Sequence, residues 1–152
     1  MPILTQETII NLPLEETFNF FDKPQNLQKV TPKQLNFRIL TPDNLLKMDN
    51  GSIFEYEISL MGIPMLWRSI INNYNPPYEF VDIQLKGPYK SWHHHHQFIK
   101  ITPHQTKVID TVRYEMPLGI LGKIAHFLFV KKQLKTIFAY RENLSEKIIK
   151  ES

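Results

Sequence analysis

The chain has no cysteine. Disulfide bonds, thiolate nucleophiles and thiolate metal sites are therefore excluded, and nothing marks the redox state of its compartment. Long apolar runs are also missing. No stretch approaches the ~20 residues that a helix needs to cross a bilayer. The first residues, Met1-Pro2-Ile3-Leu4-Thr5-Gln6-Glu7, have neither the basic flank nor the apolar run of a secretory signal. The expectation is a soluble, cytoplasmic protein. Charge of one sign is scarce: 18 Lys+Arg against 15 Asp+Glu leave +3 on 152 residues. The basic residues are scattered, with only Lys131-Lys132 adjacent, so no nucleic-acid footprint is expected. No Gly-x-x-x-x-Gly-Lys-Ser/Thr, no Gly-x-Gly-x-x-Gly and no serine nucleophile elbow occurs, which argues against nucleotide binding and covalent catalysis. Internal repeats and low-complexity segments are absent as well.

What is present is apolar and aromatic. Hydrophobic residues make up 42% of the chain, including 10 Phe, 6 Tyr and 2 Trp, so it is globular. The length suits one domain, residues 1–152, burying roughly 68–70% of its unfolded surface. Ile3 to Leu12 reads as a strand. Pro13 then opens a short helix, Leu14 to Asp22, with Leu14, Phe18 and Phe21 as its stripe. A second short helix is expected from Asn26 to Val30. Six strands follow, over 35–40, 53–60, 65–74, 79–85, 89–101 and 106–116. They are separated by turn signals at Asp49-Asn50-Gly51, Met61-Gly62-Ile63-Pro64, Pro76-Pro77, Lys86-Gly87-Pro88 and Thr102-Pro103-His104-Gln105. Beyond Pro117 the apolar period becomes helical. Ile120, Leu121, Ile124, Leu128, Leu134, Ile137, Phe138 and Leu144 mark an amphipathic helix of about 25–30 residues. The fold class expected is α+β: a curved antiparallel sheet of about six to seven strands wrapped around a long C-terminal helix, with two short helices near the N-terminus and a cavity between sheet and helix.

The most telling stretch is Trp92-His93-His94-His95-His96-Gln97-Phe98. On a strand, Trp92, His94, His96 and Phe98 share one face, and His93, His95 and Gln97 share the other. The first face is apolar enough for burial yet carries groups that need partners, as a ligand-pocket wall does. If the 102–105 turn sets Phe98 beside Val108, His96 falls opposite Asp110 and His94 opposite Val112. Asp110 would then sit among the apolar set Val108, Val112 and Tyr114, where a carboxylate needs a partner. Such a pair serves first to fix register, next to orient a ligand's polar end, and last to act in acid–base chemistry through His96 and Asp110.

Other candidates are weaker. Arg68 follows Trp67 on an apolar strand and either points inward as a ligand contact, with Asp82 as partner or with Asp82 on His94, or forms a surface salt bridge. The strand 79–85 leaves its inward face open between Phe80/Asp82/Gln84 and Val81/Ile83/Leu85. Glu55 and Glu57 alternate with Phe54, Tyr56 and Ile58 and read as a solvent face. Tyr56, Tyr89, Tyr114, Trp67 and Trp92 suit a cavity for a flat or elongated apolar ligand. No native metal and no cofactor is expected, since zinc prefers three or four protein ligands and no cysteine or further obvious ligand accompanies the histidines beyond Asp110 or Asp82. Lys131, Lys132, Lys135 and Arg141 form a solvated helix face that at most touches an anionic membrane surface transiently.

The element order resembles the START/Bet v 1-like superfamily, also called SRPBCC or polyketide cyclase/dehydrase-like, with its helix-grip fold. Gly62-Ile63-Pro64 with Trp67-Arg68, Pro76-Pro77 with Phe80-Val81-Asp82, and Gly87-Pro88-Tyr89 with Trp92-x-His94-x-His96-x-Phe98 are similar to an uncharacterised bacterial branch. Asp110-x-Val112-x-Tyr114, Pro117-Leu118-Gly119 and Phe138-Ala139-Tyr140-Arg141 complete the set. More distantly the chain resembles the coenzyme Q-binding START proteins, departing from them at His94 and His96. The resemblance implies the fold and an internal cavity but names no substrate; the expected function is binding, for transport or sequestration, of a small hydrophobic ligand such as a lipid, quinone, isoprenoid or polyketide-like molecule. The expected contacts are Tyr56, Trp67, Arg68, Trp92, His94, His96, Phe98, Asp110, Val112 and Tyr114. The alternative is a cyclase/dehydrase-type enzyme using the His–Asp pair. A monomer or weak homodimer is expected.

Overall fold

A computed structural model describes residues 2–31, 33–60 and 62–116. β1 (Ile3–Ile10) leads into α1 (Leu14–Phe21) and α2 (Pro24–Leu27). Short 3-10 turns cover Gln28–Val30, Lys33–Leu35 and Asp43–Leu45. β2 (Arg38–Ile39), β3 (Ile53–Leu60), β4 (Ile63–Asn75), β5 (Glu79–Lys86), β6 (Ser91–Thr102) and β7 (Gln105–Glu115) complete the described elements. The strands form one antiparallel sheet in the order β1-β7-β6-β5-β4-β3-β2. Consecutive strands β2 to β7 are a meander, and β1 returns to pair along the outer side of β7, from Ile3 opposite Arg113 to Ile10 opposite Thr106.

Most expected strands agree with these within two residues at each end. The strand expected over 35–40 does not. Leu35 closes a 3-10 turn and is buried, and Asn36 adopts φ 46, which breaks the extended backbone before Arg38. Only Arg38 and Ile39 pair with β3. α1 also turns slightly from the expected stripe. Leu14, Thr17, Phe18 and Phe20 are buried, whereas Phe21 is half-buried. Thr17 is tolerated there because its hydroxyl donates to Pro13 O at 2.9 Å, within the first turn. The expected long helix beyond Pro117, with Lys131, Lys132, Lys135 and Arg141, lies outside the described residues.

The sheet's inner face shows period two. Trp92, His94, His96 and Phe98 on β6 are buried, as are Thr106, Val108, Asp110, Val112 and Tyr114 on β7. Register shifts interrupt the ladders at Arg68/Ser69 and Asn72/Asn75 on β4 and at Lys100/Thr102 on β6. Such irregularities bend strands and increase their twist. Two apolar clusters lie on the inner face. In one, Phe18 of α1 packs edge-on against Phe98 at 5.0 Å and against Phe80 at 6.0 Å. In the other, Tyr89, Trp92, Val112 and Tyr114 gather, with Trp67 touching both clusters. Tyr74 ties α1 to the sheet by donating its hydroxyl to Asp22 Oδ2 at 3.0 Å.

Candidate functional site

The register between β6 and β7 is the one the alternation argument requires: His94 faces Val112, His96 faces Asp110 and Phe98 faces Val108. On the other side of β6, Asp82 of β5 pairs with His94 and Phe80 pairs with His96. Three adjacent strands thus bring two carboxylates and two imidazoles to one spot on the inner face. The sequence left the inward set of β5 open, and Phe80/Asp82 takes it. Val81, on the opposite parity, is buried too, so apolarity alone could not choose between them.

The four side chains form an alternating network. His94 Nε2 donates to Asp110 Oδ1 at 2.8 Å, and His96 Nε2 donates to Asp82 Oδ2 at 2.6 Å. The remaining ring nitrogens cross over: His96 Nδ1 is 3.2 Å from Asp110 Oδ1, and His94 Nδ1 is 3.7 Å from Asp82 Oδ2. The imidazoles stack with centroids 3.6 Å apart, and Phe80 stacks on the far face of His96 at 4.2 Å. His94, His96 and Asp110 are buried, and the Asp82 side chain keeps 22% of its accessibility.

Protonation splits within the stacked pair. Burial and the neighbouring His96 hold His94 below the ordinary imidazole range, against the pull of Asp110 and Asp82. Burial opposes a charged His96 as well, but hydrogen bonds and charges from Asp110 and Asp82 outweigh it and raise its pKa. Two stacked rings resist carrying two positive charges, so the better-bonded ring takes the proton.

A cavity of about 190 Å³ opens in front of this network. That exceeds the ~150 Å³ of an engineered apolar cavity that admits benzene. β3 and β4 contribute Tyr56, Ile58, Trp67, Ser69 and Ile71; β5 and β6 contribute Phe80, Asp82, Trp92, His94 and His96; the turn between β5 and β6 contributes Tyr89. Phe20, Phe21, Pro24, Leu27 and Val30 from the short helical segments face it from above, with Lys23 and Asn26 among them. Tyr56 and Tyr89 stay phenolic well past the ordinary range, chiefly because they are buried, with the Asp82 charge adding to the effect at Tyr56 and Tyr114 adding to it at Tyr89.

Of the ten residues expected to contact a ligand, Tyr56, Trp67, Trp92, His94 and His96 line the cavity. Phe98, Asp110, Val112 and Tyr114 are buried behind its described lining, Asp110 serving it through both histidines. Arg68 corrects the expectation of a ligand contact, and the surface salt bridge is the alternative that holds. Trp67 takes the inner face, so Arg68 takes the outer one, where it meets Glu55 at 3.5 Å across the ladder. Glu57 likewise meets Arg38 at 3.2 Å, in keeping with a solvent face. Asp82 is the group that sequence reasoning placed least well. Its signal was spacing, two residues after Phe80 and opposite His94, but only the register makes that visible.

No protein-family model matches the chain. No curated protein matches it either. Solved structures do. A protein from Thermus thermophilus superposes with a TM-score of 0.77 at 15% identity, over 97% of each chain. A START superfamily protein from Mycobacterium smegmatis gives 0.73 at 11% identity, over 98% of this chain and 97% of that one. The ZhuI aromatase/cyclase from Streptomyces sp. R1128 gives 0.69 at 9% identity, over 97% and 95%. Among the described residues no helix is long and apolar enough to cross a membrane. The seven-stranded sheet, the two short helices and these superpositions together give the chain the fold of the START and Bet v 1-like proteins.

Proposed function

We propose that the protein, as one domain over 1–152, binds a small and largely apolar organic molecule in the cavity and recognises its polar end at the Asp82/His94/His96 wall. The carrying observation is the composition of that lining: mostly aliphatic and aromatic side chains, with the Asp82/His94/His96 group and Ser69 set into the sheet wall. Apolar burial supplies affinity, and a few placed polar atoms supply orientation. Trp67, Trp92 and Tyr89 sit edge-on or tilted to one another at 4.8–5.7 Å, a surface suited to a flat or elongated ligand. The START protein and the aromatase/cyclase that share the fold both fit a chain that holds small organic molecules. Transport or sequestration of a lipid, quinone, isoprenoid or polyketide-like compound is the reading we adopt.

The cyclase/dehydrase alternative would use His96 as its acid–base group, with Asp110 setting the ring. It has one observation for it: His96 lines the cavity. Against it, both ring nitrogens of His96 already face carboxylates, at 2.6 and 3.2 Å, and a base needs a lone pair open to substrate. Binding tolerates this arrangement as it stands, whereas a base at His96 requires one of the two carboxylates to turn away first. Native mass spectrometry of freshly purified protein, before and after organic extraction, tests the reading. An extractable mass on the folded chain is expected. A clean apo mass, together with turnover of a cyclase substrate that His96→Ala abolishes, would replace binding by catalysis.

A further inference from the structure

We propose that Asp82, His94 and His96 form a site for one divalent transition-metal ion on the cavity wall, with Asp110 as the outer carboxylate that orients both imidazoles. The ligand atoms of these three side chains all lie within 4.8 Å of one another. The arrangement is more specific than proximity. Each imidazole turns one nitrogen to Asp82 and the other to Asp110. His94 presents Nδ1 to Asp82 Oδ2 and Nε2 to Asp110 Oδ1; His96 presents Nε2 to Asp82 Oδ2 and Nδ1 to Asp110 Oδ1. One carboxylate oxygen on the cavity side is therefore shared by two imidazole nitrogens. One carboxylate oxygen behind them receives the two opposite N–H groups. Histidines that bind metals almost always donate their other N–H to a carboxylate, carbonyl or water, which fixes tautomer and ring angle. Here one carboxylate does so for both.

Two imidazoles and a carboxylate, without thiolate, suit zinc, cobalt, nickel or ferrous iron and disfavour magnesium and calcium. Metal–ligand bonds of about 2.0–2.2 Å require donors farther apart than the 2.6 Å between Asp82 and His96. The Asp82 carboxylate, the most accessible of the four, turns outward on binding, and the His96 N–H proton facing it passes to water. His94 is already disposed as a ligand, since its Nε2 donates to Asp110 and Nδ1 faces Asp82. Because all three ligands line the cavity, the remaining coordination positions open into it. Carbonyl or hydroxyl oxygens at the polar end of a bound molecule are the ligands that fit there. The ion site does not depend on the organic ligand. A chain that takes the metal but no apolar probe keeps this inference and loses the proposed function, and the reverse outcome separates them equally well.

The test is calorimetric titration of the full, chelator-treated chain with zinc chloride, repeated on variants checked by circular dichroism. One ion per chain is expected. Asp82→Asn and His96→Ala should abolish the binding, and Asp110→Asn should weaken it on the order of 10–100-fold. The double variant His93→Ala/His95→Ala, on the outer face, should bind as the parent does. A second measurement needs no variant: zinc should shift the ring-nitrogen resonances of His94 Nδ1 and His96 Nε2 in the parent protein. No saturable heat, or shifts confined to His93, His95 and His104 with binding lost in the outer-face variant, would mean an adventitious ion only and would overturn the site.

Discussion

β6 carries two histidine pairs of the same composition on its two faces, and they lead different lives. His94 and His96 are buried, stacked on each other and bracketed by Asp82 and Asp110. His93 is exposed, and His95 meets Glu79 at 2.9 Å with both side chains about a third accessible. Nothing local to the four residues distinguishes the pairs. Strand parity, set by the turn into β7, sends one pair to the cavity and the other toward solvent. The lesson concerns energy as much as position. A buried imidazole must find partners in the fold, whereas an exposed one has water.

The comparison is most sharply broken at the carboxylates. Asp110→Ala leaves two buried imidazoles short of an acceptor and should destabilise by about 3–5 kcal/mol in urea unfolding. Glu79→Ala, which removes the outer partner of His95, should cost about 0.2–1 kcal/mol. Equal losses would show that the inner network is no more constrained than the surface pair. Neighbouring apolar positions extend the contrast. Phe98→Ala empties a site packed by Phe18, Phe21 and Phe80 and should cost about 3–5 kcal/mol. Ile99→Ala on the exposed parity should stay within about 0.5 kcal/mol.

Tyrosines sharpen the contrast in pH. Tyr56 and Tyr89 have raised pKa values, and Tyr74, buried in part and bonded to Asp22, is pushed up to about 12. Unfolded tyrosine titrates near ~10. Their stabilisation is therefore complete below that pH and declines as pH rises above it, toward the folded values. Phenolate absorbance of the folded chain should lag that of the unfolded chain, and superimposed titrations would contradict the burial of these rings. The smallest effect is kinetic: diethyl pyrocarbonate should modify His93 well before His94 or His96, as read by peptide mass mapping.

Much of this was legible in the sequence, for physical reasons. Alternation and a short turn fix register, so His96 opposite Asp110 and His94 opposite Val112 followed from counting. Punctuation by proline and glycine located β3 to β7. Three things were not legible. β2 shrank because a left-handed Asn36 interrupts it, and asparagine adopts that conformation without announcing it. Arg68 was open between cavity and surface salt bridge on the apolar look of its strand, and parity with Trp67 decides for the surface. Asp82 was ambiguous because both faces of β5 are apolar, so only pairing with β6 shows that it completes the network. A carboxylate opposite a histidine was visible. That Asp82, one of whose options was His94, reaches both imidazoles and closes the square was not.

The central claim is an apolar binding cavity, and blocking it is the most direct test. Ile71 is buried on β4 and lines the cavity, so Ile71→Phe adds bulk into the space without adding charge. After organic extraction, parent and variant would be titrated with 1-anilinonaphthalene-8-sulfonate, with circular dichroism to verify the fold. The predicted result is saturable one-to-one binding to the parent, accompanied by a change in the emission of Trp67 and Trp92, and at least a tenfold loss in the folded variant, roughly 1.4 kcal/mol. Binding that is equal in the two proteins, or absent from the extracted parent, would contradict it.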